Sequence, residues 1–126
     1  MPDNIFFTVS GNPIPKQSFR FRNGQRSYQP ARIKAWQNMV AAEAYAVMIG
    51  KDKLVAPLRV SIHFRRDNRR RVDLDNLSKA VLDAMNGIVY QDDQQIHELR
   101  LSKEIDKDNP GVDVRIWTMG IKDNGK

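Results

Sequence analysis

Between Arg69 and Asp93, RRRVDLDNLSKAVLDAMNGIVYQDD, three arginines stand directly ahead of two tight groups of aspartates. Asp73 and Asp75 are two residues apart where strand-like residues give way to a helical pattern, and in extended backbone such a pair points to one side. Two carboxylates aimed one way repel each other unless a cation or a proton comes between them. Hard oxygen ligands of this kind suit Mg2+ or Mn2+, which bind through one or two carboxylates, several waters and the phosphate oxygens of a substrate. Asp92 and Asp93 follow the helical segment, and a returning chain would bring them back to the N-terminal end of that helix. A plainer reading stays open, because Asp-x-Asp is a frequent pattern at the start of a helix and Asp-Asp suits a turn.

Lys79 falls one helical turn after Asp75, on the face opposite Leu77, Ala80 and Val81. A cation there could steady the extra charge of a phosphoryl transition state. It could equally form an i,i+4 ion pair with Asp75, worth about 0.2–0.5 kcal/mol. Asp83 reads as the far partner of Lys79 or as a solvated residue. Arg65, Arg66, Arg69, Arg70 and Arg71 surround the acids in sequence, and guanidinium forks bind phosphate oxygens bidentately. Lys16, Arg20 and Arg22 interleave with Phe19 and Phe21, offering cations and rings to unpaired bases. Those two rings serve as well as buried anchors for their loop. His63 and His97 lack a partner at metal-ligand spacing and read as ordinary strand residues.

The elements that must position these groups are legible from periodicity. Asn4 to Gly11 is β-branched and aromatic, which predicts a strand. Residues 12–30 form a long loop with a short hairpin turning at Asn23-Gly24. Pro30 to Gly50 repeats Ile33, Trp36, Val40, Ala44 and Val47 at helical spacing. Ala56 to Arg66 alternates Leu58, Val60, Ile62 and Phe64 with Arg59, Ser61 and His63, a half-buried strand. A second helix begins at Leu74 to Asn76, buries Leu77, Ala80, Val81 and Ala84, and stops at Asn86-Gly87. The last two strands, QQIHELRLSKEI and GVDVRIWTM, are expected to pair as a hairpin across DKDNPG, followed by a frayed tail from about residue 120. The order β-α-β-α-β-β predicts one α/β (α+β) domain over residues 1–126, with a mixed sheet and two main helices packed on it.

Composition narrows the partners. The chain of 126 residues carries a net charge of +6, and the charge is unevenly spread. Met1 to Arg71 holds fourteen Lys and Arg against four Asp and Glu, whereas Val72 to Lys126 holds seven against eleven. A basic half beside an acidic half suggests an anionic partner, most often nucleic acid. The absence of cysteine excludes disulfides, thiolate metal sites and cysteine nucleophiles, and agrees with an intracellular location. No apolar run approaches the ~18 residues of a membrane span, and the opening residues show no signal-peptide pattern.

The block from Arg69 to Ile96, with Arg-Arg-Arg, Asp-Leu-Asp-Asn-Leu-x-Lys, then a helix and Gly-Ile-Val-Tyr-Gln-Asp-Asp, resembles the RusA family of Holliday-junction resolvases, often encoded by phages and prophages. The resemblance implies that Asp73, Asp75 and Asp93 are Mg2+-binding catalytic carboxylates, that Mn2+ can substitute, and that Lys79 is an essential basic residue. It makes Asp92 the lesser candidate of its pair. Lys16, Arg20, Arg22, Arg69, Arg70, Arg71 and Asn76 would contact DNA. The resemblance further implies a cytoplasmic homodimer that nicks four-way junctions in pairs, with no membrane partner and no organic cofactor. A two-fold dimer also matches a junction with two symmetric strands to cut. Two other functions compete: a catalytically silent module that binds branched DNA, and a nuclease that prefers flaps or forks.

Overall fold

A computed structural model of the chain describes residues 4–16, 21–22, 25–26 and 30–120. Its elements are β1 (Asn4–Ser10), β2 (Phe21–Arg22), β3 (Gln25–Arg26), α1 (Pro30–Val47), β4 (Leu58–Arg66), α2 (Leu74–Met85), β5 (Ile96–Ile105) and β6 (Gly111–Thr118), with a 3-10 turn at Asp93–Gln95. The mixed sheet runs β1-β6-β4-β5. β5 lies parallel to β4, whereas β6 is antiparallel to both β1 and β4. The expected α+β architecture with two helices is therefore present. β2 and β3 form a separate antiparallel ribbon, pairing Phe21 with Arg26 around the position expected for the small hairpin.

Strand alternation decides which sheet face the helices cover. Ile5, Phe7 and Val9 of β1 sit in register with Ile116, Val114 and Val112 of β6. The same β6 residues pair on their other side with Val60, Ile62 and Phe64 of β4. All nine are buried, and Trp36, Val40 and Ala44 of α1 with Leu77, Ala80, Val81 and Met85 of α2 close over them. Each of the larger aliphatic and aromatic side chains among them contributes about 1.5–3 kcal/mol by leaving water. The helical pattern in Pro30 to Gly50 and the alternation in Ala56 to Arg66 thus mark the core correctly. Gly87 ends the α2 segment in a left-handed conformation (φ 82°) that favours glycine, and its N–H donates to the Tyr90 carbonyl at 2.9 Å.

The expected β5–β6 hairpin does not form. β4 lies between the two strands, and the connecting turn crosses its end, where the Asp106 N–H donates to the Arg66 carbonyl at 2.8 Å. Alternation states which face a residue occupies and is silent on which strand is its neighbour. β4 is buried at every second position and takes a partner on both edges, whereas β5 is exposed at most positions and suits the sheet edge. The parallel β4–α2–β5 crossover is the consequence that matters for function. α2 must run back along the sheet, so the chain leaves it at the end where β4 begins, with Leu58 opposite Ile96.

Candidate active site

The connection from β4 to α2 is held by its own polar side chains. The Asp67 N–H donates to Asn12 Oδ1 at 3.0 Å and the Arg70 N–H to Asn68 Oδ1 at 2.8 Å. Lys103 Nζ donates to the Val72 carbonyl at 2.7 Å, and the Val72 side chain is buried. The neighbouring Asp73 is consequently turned outward. It occupies the N-cap of α2 in extended conformation, yet its carboxylate makes no capping hydrogen bond. An N-cap aspartate usually satisfies a free helix N–H; here the carboxylate remains available. Asp75, in the first helical turn, is 77% exposed, and Lys79 Nζ stands 3.5 Å from its Oδ2. An ion pair so open to water holds its members weakly.

Beside Asp73 lies an open cleft of about 550 Å3. Arg32 from the first turn of α1, Arg66 from the end of β4, and Arg70 and Arg71 from the connection line it. Asn12, Asn68 and Asn76 complete its polar wall. Arg69 is exposed outside the cleft. Among the described residues none of these five arginines forms an ion pair. The N-terminal loop is strapped to α2 near this cleft: the Lys16 N–H donates to the Asn76 carbonyl at 3.0 Å, and its ammonium pairs with Asp83. Asp83 is therefore the partner of Lys16, and Lys79 pairs with Asp75 instead. Arg20 and the side chain of Arg22 lie outside the described residues.

Asp92 and Asp93 stand at the other end of α2. Asp92 caps the 3-10 turn, accepting from the Gln94 N–H at 3.0 Å, while Gln95 Oε1 accepts from the N–H groups of Gln91 and Asp92 at 2.9 and 3.0 Å. Gln95 Nε2 then donates to the carbonyls of Leu54 and Ala56. Asp93 is exposed, and its carboxyl pKa is raised, chiefly by a hydrogen bond shared with Asp92, then by desolvation and the charges of Asp92 and Asp83. Burial, with Asp93, Asp83 and Asp92 nearby, likewise pushes the Tyr90 phenol well above its ordinary value. Tyr90 donates from its hydroxyl to the Leu82 carbonyl at 3.0 Å. These acids thus gather around Asp83, which lies about 15 Å of helix rise beyond Asp73.

The model of the endodeoxyribonuclease RusA family matches residues 10–117. The chain belongs to that family. It is similar to the crossover junction endodeoxyribonuclease RusA of Aquifex aeolicus strain VF5, at 29% identity over 90% of this chain and 91% of the relative. The RusA of Escherichia coli strain K12 is 31% identical over 76% of this chain and 79% of the relative. YqaN of Bacillus subtilis strain 168, a protein without a described activity, is 29% identical over 90% and 96%.

Within one chain of this RusA-family protein, the return of Asp92 and Asp93 to the N-terminal end of α2 does not occur. The parallel crossover delivers them to the opposite end of the helix. Among the described residues no group of three or more His, Asp or Glu side chains is placed to hold a metal ion. The pair at the helix start does fit Mg2+. Both carboxylates are exposed, Asp73 carries no capping duty, and two carboxylates with water and substrate phosphate form a usual Mg2+ site. Arg32 and Asn12 come to the cleft from elements distant in sequence, and no local pattern announced them. Arg66 did carry a signal: it continues the inward phase of Leu58, Val60, Ile62 and Phe64, so the alternation puts a guanidinium on the buried face.

Proposed function

We propose that this protein is a Mg2+-dependent endonuclease that resolves DNA four-way junctions by paired nicks, in recombination and repair. The observation behind this reading is that Asp73, without a capping hydrogen bond, and the Asp75–Lys79 pair stand at the N-terminal end of α2 beside a cleft whose arginines form no ion pair among the described residues. Membership of the RusA family, and the activity that names its Aquifex and Escherichia relatives, support the same reading. Asp73 and Asp75 hold the ion, with Mn2+ as a substitute. When bound, that ion activates water and offsets charge on the phosphate. Lys79, loosely held by Asp75, moves its charge toward the phosphate oxygens as they gain charge. Arg69, Arg70, Arg71 and Asn76 bind the backbone around the cut, and the loop carrying Arg20 and Arg22 adds further contacts.

Asp93 is the third carboxylate of this reading. It stands in the 3-10 turn beyond the far end of α2, away from Asp73 of its own chain, which favours a homodimer in which Asp93 comes from the second copy. A labelled four-way junction and a matched linear duplex, each incubated with Mg2+ or EDTA, test the activity. Nicking of the junction alone, in Mg2+ alone, is expected, with Asp73→Asn binding the junction but not cutting it. Junction binding without cutting in either Mg2+ or Mn2+ would leave a silent binding module. Equal cutting of linear duplex would reject junction selectivity.

A further inference from the structure

The strongest unassigned feature is the floor of the arginine cleft. Arg66 is 8% exposed, yet among the described residues it faces no carboxylate within ion-pair distance. Its Nη1 donates to the Arg70 carbonyl, and its buried Nε–H has no acceptor among the described residues. Burial holds its pKa below the ordinary arginine value, with Asp67 acting against the shift and Arg70 adding to it. An unpaired buried charge costs several kcal/mol, a cost that a bound anion would offset. Arg32, Arg70 and Arg71 stand around the same cleft, so among the described residues four arginines and one carboxylate, Asp73, line it.

The helices reinforce this charge. α1 brings its first turn to the cleft through Arg32 and Ile33, and it has no acidic residue in that turn. α2 brings Asp73 and Asn76 from its own N-terminal end. Both therefore direct the positive ends of their dipoles toward the space that the arginines line. A volume of about 550 Å3 lies within the ~300–1,000 Å3 range of ligand clefts. Asn12 and Asn68 on the rim are held by the Asp67 and Arg70 N–H groups, so the wall is built before any ligand arrives.

We infer that this cleft is a binding site for a single phosphate group of the DNA backbone, with Arg66 at its floor and Arg32 at its wall. Seated there, one phosphodiester fixes the register of the strand and so decides which neighbouring bond lies against Asp73. Arg32 and Arg66 are positioning residues under this assignment, which rests on the nuclease reading above. The sequence offers Arg65, Arg66, Arg69, Arg70 and Arg71 as a grip on phosphate; the fold pairs Arg65 with Asp113 instead, sets Arg66 at the floor of a defined pocket and adds Arg32 from α1.

The experiment uses the whole chain and three variants: Arg32→Ala on exposed helix surface, Arg66→Lys, and Lys53→Ala as a charge control at the opposite end of the sheet. Inorganic phosphate is titrated while the arginine Nε–H signals are followed by NMR. A saturable shift of the Arg66 signal is expected, with binding weakened about tenfold in Arg32→Ala. Junction binding in EDTA should then lose about 0.9 from its log–log salt slope in Arg32→Ala and keep the wild-type slope in Lys53→Ala. Nicks made by Arg32→Ala and Arg66→Lys in Mg2+ should spread over neighbouring positions, which a merely unstable variant would not produce. An unmoved Arg66 signal with a wild-type slope in Arg32→Ala overturns the pocket, even if the wild type nicks junctions. Phosphate binding with an unchanged slope overturns the DNA assignment in favour of free phosphate. A shifted Arg66 signal and reduced slope in a protein that never nicks would uphold the pocket and sink the nuclease reading.

Discussion

Replacing Asp83 by Asn should strengthen DNA binding while barely changing stability. Lys16 pairs with Asp83, and their side chains are 48% and 40% exposed, so solvent screens the attraction. Exposed pairs of this kind are worth about 0.2–1 kcal/mol, and the loss should lower Tm by no more than about 5 °C. The backbone bond from the Lys16 N–H to the Asn76 carbonyl is untouched, so the loop keeps its place on α2. Release of the Lys16 ammonium adds a cation on the flank of the arginine cleft. One further phosphate contact steepens the log–log salt dependence by about 0.9, or about 3.5-fold in affinity between 50 and 200 mM salt. Fluorescence anisotropy of a labelled junction in EDTA, at several salt concentrations, measures this. An unchanged slope, or a fall in Tm beyond about 5 °C, would show that Lys16 serves the fold and is no reserve for DNA.

Other outcomes follow from single contacts. A Cβ at Gly111 would overlap the Val9 carbonyl oxygen and the Arg65 guanidinium, so Gly111→Ala should destabilise by about 1–3 kcal/mol in denaturant unfolding. Burial raises the Asp113 pKa, but hydrogen bonds from Arg65 and Thr8 outweigh it and leave the carboxyl below its ordinary value. Its contribution is thus present above the unfolded value of about 3.9 and lost as pH falls through the folded one. Asp113→Asn should cost about 1.5–3 kcal/mol at pH 7, and the deficit should shrink below about pH 4 in pH-resolved melts. Lys79→Ala loses a surface pair of about 0.3–0.5 kcal/mol, so it should fold normally. Its nicking rate should nevertheless fall by about 100-fold or more in single-turnover assays.

Much of this architecture is legible in the chain because it depends on local period. Leu58, Val60, Ile62 and Phe64 alternate, Ile33, Trp36, Val40 and Ala44 recur at helical spacing, and both sets are buried. Asp73 and Asp75 mark the start of α2, and Lys79 follows one turn on. What depends on neighbours across space is illegible. β6 inserts between β1 and β4, and that choice follows from which edges need covering. The position of Asp93 inherits it, because a parallel β5 obliges α2 to span the sheet. Asp83 finds Lys16 across the loop for the same reason: no spacing rule connects residues from separate elements. Asp92, read as a turn residue or a ligand, proves to cap the 3-10 turn.

Because Asp73 and Asp93 stand at opposite ends of α2 within one chain, the proposed site needs two copies to be complete. Asp73→Asn and Asp93→Asn proteins, each expected to be inactive alone, are to be mixed, allowed to exchange subunits, and assayed on a labelled four-way junction with Mg2+. A site built from both chains leaves one intact site in every mixed dimer, so about a quarter of the wild-type nicking should return, as single nicks. Mixing that restores no nicking, although mixed dimers are present, would contradict the account and place all three carboxylates within one chain.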